Sequence, residues 1–198
     1  MGNLTTLANV KSYLGGQVDT AGETFVTFAI PYISSVIETY CGRLFGETTY
    51  TDEIHDGDGG KQLVLKNYPI ISVTSLYDDI DRAWTASTLI AASDYVIKKE
   101  SGVLYRVDAN FFNIERGNIK VTYVAGYKLP GASSGNGTAF PLALEDVCVK
   151  LVALAFRDRG MNLGLNSINF EGGTKSFTVD IPEDLKRILN IFRRIMFY

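Results

Sequence analysis

Histidine and cysteine are nearly missing from this chain. One histidine, His55, and two cysteines, Cys41 and Cys148, stand in 198 residues. A Ser-His-Asp or Cys-His enzyme would therefore rest on His55 alone. No CxxC or Cys/His cluster exists from which thiolates could build a zinc site. Both cysteines fall on apolar faces of expected helices, the pattern of reduced core thiols rather than of a disulfide. No apolar run is long enough to span a bilayer. The opening residues, MGNLTTLANVKSYLGG, lack the apolar core of a secretory signal. Glycine is plentiful but never set in a phosphate loop. Gly57-Asp-Gly-Gly60 opens no helix, and Gly131 to Gly137 leads to Pro141 with no lysine in the P-loop place. Positive charge is scarce at the front: residues 1–60 carry eight acids against two bases, Lys11 and Arg43. A broad basic surface for duplex binding is thereby excluded. The last fourteen residues reverse the balance, with Lys186, Arg187, Arg193 and Arg194 and no acid.

What remains is ordinary globular material, 46% hydrophobic and 21% charged with net charge −3. Helical spacing marks both ends. Residues 5–14 carry Leu7, Val10 and Leu14 on one side. Residues 22–42 place Phe25, Phe28, Ala29, Tyr32, Ile33, Val36, Tyr40 and Cys41 on an expected buried stripe, with Pro31 expected to kink the helix. A third helix follows Pro141 to about Arg159, and a fourth follows Pro182 with the stripe Leu185, Ile188, Leu189, Phe192, Ile195 and Met196. Between them the period shifts to two. Strands are expected at 48–55, 62–66, 70–77, 94–99, 102–107 and 119–126, with turns at Glu100-Ser-Gly102 and Arg116-Gly-Asn118. The segment 129–139 reads as a flexible loop, and 161–181 as an extended arm with a hairpin at Gly172-Gly173. The class is α+β: a mainly α-helical bundle (1–45 and 139–198) with an antiparallel β lobe (46–128) inserted between the second and third long helices. The whole forms one domain.

Two clusters carry polar chemistry. Asp52-Glu-Ile-His-Asp-Gly-Asp-Gly-Gly60 offers closely spaced carboxylates, but no alignment supplies a twelfth-position EF-hand acid, and the glycines suit a turn between strands. A metal-dependent hydrolase using Asp52, Asp56 and Asp58 stands as one alternative. His55 is expected at a strand end on the surface. The terminal helix is amphipathic with cations beside its stripe. It suits either core packing or docking into a partner groove, which makes a monomeric binding module a second alternative.

Two phrases are structural. In Tyr68-Pro-Ile-Ile-Ser-Val73, proline lacks an N–H and belongs at a strand's first residue. In Val121-Thr-Tyr-Val-Ala-Gly-Tyr127, alternation ends at small residues that allow a bend or the close approach of another backbone. In chain order "DGDGGKQLVLKNYPIISVTSLYDD", "DYVIKKESGVLYRV", "IKVTYVAGY" and "PLALEDVCVKLVALAFRDRG", preceded by "FAIPYISSVIETYCGRLF", resemble the head–tail connector (adaptor, or head-completion) proteins of tailed bacteriophages.

That resemblance implies a structural virion protein that forms a ring below the portal, joins capsid to tail and extends the DNA channel. It implies no enzyme: no catalytic residue, no cofactor-binding residue and no metal. The partners implied are the portal protein, neighbouring copies in a homo-oligomeric ring of twelve, the next tail component, and DNA passing through the lumen without sequence recognition; no membrane is involved. Its place would be the head–tail interface of the virion, and the host cytoplasm during assembly. Portal docking is assigned to Leu185, Ile188, Leu189, Phe192, Arg193, Arg194, Phe197 and Tyr198. The family-motif structural positions are Tyr68, Pro69, Val73, Tyr123, Gly126, Tyr127 and Pro141.

Overall fold

Thr6 sets the first helix. Its hydroxyl accepts the Asn9 amide at 3.2 Å and caps α1 (Leu7–Tyr13). In this computed structural model, residues 2–16, 18–133, 135–158, 167–170, 173–176 and 181–193 are described. Asp19 caps α2 (Thr20–Cys41) by accepting the Gly22 amide at 2.7 Å, and Gly42 ends it in the left-handed region at φ 66°. The helix runs unbroken through Pro31, which lies exposed.

The chain forms two compact units. Unit 1 holds residues 1–43 and 140–198, and unit 2 holds residues 44–139. In unit 1, α2 packs on α3 (Leu142–Asp158), and α1 and α4 (Glu183–Ile191) pack against both. The middle helix α3 buries Leu144, Val147, Cys148, Leu151, Val152 and Phe156, so both cysteines lie in this core as free thiols. The N-terminal segment is tied down by polar contacts. The Leu4 amide donates to Ser34 Oγ at 3.0 Å, and Asn9 Nδ2 donates to Glu145 Oε1 at 2.5 Å. These bonds seat Leu4, which is fully buried.

Unit 2 contains two three-stranded antiparallel sheets. The first has the order β1-β6-β3, where β1 is Thr48–Asp58, β3 is Ile70–Asp78 and β6 is Ile114–Ala125. The second has the order β2-β5-β4, where β2 is Gln62–Val64, β4 is Tyr95–Lys98 and β5 is Val103–Arg106. Strand β6 is central because its alternate residues Ile119, Val121, Tyr123 and Ala125 all face inward, as a period of two requires. They meet Leu63, Leu65, Ile70, Leu76, Leu104 and Phe112 in one apolar cluster. Two short strands, β7 (Tyr127–Lys128) and β8 (Thr138–Ala139), pair in parallel. Outside unit 2, β9 (Ser167–Phe170) pairs antiparallel with β10 (Gly173–Ser176), Phe170 opposite Gly173.

Several expectations need correction. The class is α+β, but a mainly helical bundle is not what forms, since the sheet-bearing unit is about half the chain. The buried stripe of α2 is Gly22, Val26, Ile30, Ser34, Ile37, Glu38 and Cys41, whereas Phe28 and Tyr32 face solvent. The sequence from Thr24 to Ile37 holds no charge, so hydrophobic spacing alone could not tell the two faces apart. Arg116-Gly-Asn118 is no turn. Gly117, at φ 62°, lies within β6 opposite a register shift between His55 and Gly57, where the Asp56 carboxylate accepts the Gly117 amide at 2.7 Å. Glycine there serves a bulge, which looks like a turn in sequence. The turn after β1 falls at 59–61, later than expected. The segment 129–139 is held at its end by β8 and by Glu47, whose Oε2 accepts the amides of Asn136 and Gly137 at 3.0 and 3.3 Å.

Candidate assembly surfaces

All the family-motif positions but Pro141 lie in unit 2. The Tyr68–Pro69 peptide bond is cis, and Pro69 directly precedes β3. Its carbonyl accepts the Gly126 amide at 2.9 Å. Gly126 has φ 125°, and a Cβ there would lie 2.4 Å from the Gly46 oxygen, so only glycine lets these backbones meet. The next residue, Tyr127, donates its amide to the Phe45 carbonyl at 2.7 Å and accepts the Glu47 amide at 3.1 Å. Val73 packs against the unit 2 core from β3. Pro141 belongs to unit 1, where its carbonyl accepts the Leu144 amide at 3.0 Å and starts α3. These residues shape backbone and core; none presents a reactive group.

Tyr123 and His55 meet on one carboxylate. The Tyr123 ring is fully buried and stacks on Tyr50 with centroids 5.1 Å apart, and its hydroxyl donates to Glu53 Oε2 at 3.1 Å. His55 Nε2 lies 2.6 Å from Glu53 Oε1. His55 is thus a mostly covered residue inside β1, and the expected surface position at a strand end is corrected. Burial pushes the Glu53 acid upward, but the His55 hydrogen bond and the His55 and Lys66 charges outweigh it and hold the carboxyl below its usual range. Burial, against the lowering hydrogen bond from Asn67 and with help from the Glu53 charge, pushes the Tyr123 phenol well above its usual value. Such a phenol keeps its proton and makes a poor nucleophile.

The carboxylates of the metal-site alternative make structural contacts. Asp56 caps Gly117, Asp58 Oδ1 accepts the Gly60 amide at 2.8 Å, and Asp52 Oδ1 lies 3.7 Å from Lys120 Nζ. Among the described residues, no group of three or more His, Cys, Asp or Glu side chains is placed to hold a metal ion.

On α4, Leu185 and Leu189 are buried within the chain's own helical unit, which corrects their assignment to a partner-facing surface. Ile188 and Phe192 are half-buried and Arg193 is exposed, its guanidinium 5.8 Å over the Tyr40 ring. Tyr40 also donates to Asn190 Oδ1 at 2.9 Å, fixing α4 on α2. Exposed Ile191 was not singled out in the sequence, because it falls off the buried stripe. Arg194, Phe197 and Tyr198 lie outside the described residues, as do parts of the 161–181 arm.

The head completion protein family model matches residues 3–195. The chain belongs to the head completion protein family. It is accordingly a structural protein of head–tail connection. No curated protein matches this head completion chain. Its fold resembles that of a chain in the neck of an empty gene transfer agent particle computed with C6 symmetry. The TM-score there is 0.60 at 16% identity, covering 97% of this chain and 90% of that one. A chain in the virion of a native gene transfer agent particle matches with TM-score 0.60 at 14% identity over the same shares, 97% and 90%. A third, from the neck of a native particle computed with C12 symmetry, matches with TM-score 0.53 at 15% identity, covering 100% of this chain and 96% of that one. At such identities the likeness speaks for the fold.

Proposed function

We propose that this head completion protein assembles as a ring of twelve beneath the portal, joins capsid to tail and lengthens the channel through which DNA leaves. The observation that carries the reading is the family match across nearly the whole chain. The particles whose neck chains share this fold were computed with C6 and C12 symmetry, and both orders are compatible with a ring of twelve. The protein works as one connector domain at the head–tail interface of the virion, after assembly in the host cytoplasm. It transforms no substrate; its partners are the portal, copies of itself and the next tail component. DNA passes its lumen without being read.

Portal docking on this reading falls to the end of the chain: Ile188, Phe192 and Arg193, with Ile191 beside them, and onward to Arg194, Phe197 and Tyr198. Leu185 and Leu189 hold the helix to its own unit and orient that surface. The 161–181 arm reaches a neighbouring subunit or the tail side. Cryo-electron microscopy of the purified chain mixed with its cognate portal tests this. A collar of density on the portal's narrow end is the expected outcome. A chain that stays solitary beside intact portal, or that turns over a metabolite, overturns it.

A further inference from the structure

Helix α2 is apolar on two sides. Its inward stripe, Val26, Ile30, Ser34 and Ile37, is buried in unit 1. At about 100° per residue, Phe28 and Tyr32 project roughly opposite to Val26 and Ile30. They are 75% and 68% exposed, a large share for aromatic rings on a helix with a core face already satisfied. Thr24, Thr27 and Pro31, all exposed, complete this outer face.

The face displays no ionised group. Upstream, Glu23 is paired with Lys11 from α1. Downstream, Glu38 is buried. Between them the helix carries no Asp, Glu, Lys or Arg. An outward helix surface without charge for fourteen residues, centred on two aromatics, has the composition of an interface core, where charges are depleted and Phe and Tyr enriched.

The charge pattern also selects the occupant. Nucleic acid needs cations to displace its counterions, and a membrane-surface helix needs Lys or Arg around its apolar face; this face has neither. A second copy of the chain is acidic overall, with net charge −3. Like-charged copies approach most readily through a neutral face, because desolvation there leaves no unpaired charge behind. We infer that the outer face of α2, centred on Phe28 and Tyr32, is the core of the lateral contact between adjacent copies of this protein. This inference rests on the ring reading and deepens it by naming the surface. In a ring the contact is heterologous, so the Phe28–Tyr32 face of one copy meets a different surface of the next. The two rings expose on the order of 200–300 Å² together, the centre of a contact that needs about 800 Å² per partner.

The test is sedimentation velocity of the full chain over a wide concentration range, with negative-stain images, for wild type, Phe28→Asp/Tyr32→Asp and the conservative Phe28→Leu/Tyr32→Phe. The wild type is expected to assemble. The acidic pair is expected to shift the assembly midpoint upward by at least about thirtyfold, the effect of losing one central aromatic anchor. Measured at a dilution where both are monomeric, its melting temperature should match the wild type, and the conservative pair should assemble. An acidic pair that assembles like wild type sinks the inference and leaves the ring reading standing. So does an acidic pair whose monomer, at that same dilution, melts markedly lower, since the face would then pack within its own chain. An acidic pair that self-assembles normally but no longer joins portal reassigns the face to the portal and overturns the inference. A wild type that never assembles, with or without portal, removes the ring reading and the inference together.

Discussion

Replacing Gly126 with alanine should unfold the β unit more readily than any surface change nearby. At φ 125° an L-residue is strained whatever space surrounds it, at a cost of about 1–3 kcal/mol. Space is also lacking. The new Cβ would stand 2.4 Å from the Gly46 oxygen and 2.7 Å from the Glu47 nitrogen, both main-chain atoms. Neither can step aside without loosening the Tyr127-to-Phe45 and Glu47-to-Tyr127 bonds, each worth about 1 kcal/mol net. Together these give about 3–5 kcal/mol, a large part of the ~5–15 kcal/mol that holds a typical domain. Urea unfolding followed by Trp84 fluorescence reads the right unit, because the lone tryptophan sits in it 6.4 Å from Tyr77. Gly117→Ala is the control. Its φ is 62°, but its added Cβ finds the nearest atom, a side-chain methyl of Ile54, at 3.4 Å, so it should cost only ~1–2 kcal/mol. If Gly126→Ala lies within about 1 kcal/mol of wild type, the close approach of the two backbones is not what glycine serves here, and the reasoning fails.

Three further outcomes follow from buried polar contacts. Arg106 grips Asp108 through Nε and Nη2 at 3.0 and 2.6 Å, and chiefly this, against the cost of burial, lowers the Asp108 acid from 3.8 to about 2. A lowered folded-state value gives stability present above the unfolded value and lost as pH falls through the folded one. The gap between wild type and Asp108→Asn in thermal melts should therefore be full above about pH 4 and close toward about pH 2; a gap constant with pH rules this out. Tyr123→Phe keeps the stack on Tyr50 and loses the bond to Glu53, so urea unfolding should show a loss of ~1 kcal/mol, against ~3–5 for Tyr123→Ala. Asn118 is fully buried, accepts the Gly57 amide at 2.8 Å and donates to Asp78 Oδ1 at 2.7 Å and the Asn113 carbonyl at 3.1 Å. Alanine there strands those groups and should cost about 2–3 kcal/mol in the same assay, with hydrogen exchange at Gly57 accelerated.

The order of elements was legible because each is marked locally. Thr6 and Asp19 are caps, Gly42 and Gly102 sit where a chain must turn at positive φ, and Ile119, Val121, Tyr123 and Ala125 alternate without interruption. The errors share a cause: the local signal was real but had two structural meanings. A glycine between Arg116 and Asn118 serves a bulge as well as a turn. An uncharged helix offers two apolar faces, and only the packing of α1, α3 and α4 shows which one α2 buries. Glu47 holding the amides of Asn136 and Gly137 joins residues about ninety apart, and β7 with β8 makes a parallel pair across the same loop; neither has a short-range signature. The terminal helix was legible as amphipathic, yet its stripe by itself could not divide Leu185 and Leu189, which face inward, from exposed Ile191 and Arg193.

The acidic first third of the chain shows why composition is a weak guide to a surface. Eight carboxylates precede residue 61, which invites the idea of a negative wall along which DNA could slide. One of them, Glu38, is buried, and the placement of the other seven follows another logic. Asp19, Asp56 and Asp58 accept main-chain amides at a helix start, a bulge and a turn. Glu47 clamps a loop, Glu53 joins His55 to Tyr123, Glu23 meets Lys11, and Asp52 faces Lys120. Each of these seven stands where a main-chain or side-chain donor or a cation meets it. On the proposed ring reading, a lumen would tolerate DNA through the scarcity of cations in that third, Lys11 and Arg43 alone, rather than through a concentration of anions. The distinction is measurable: neutralising Asp52 or Asp58 should loosen β1 locally and leave DNA ejection rate unchanged, whereas adding lysines to a channel-facing surface should slow it.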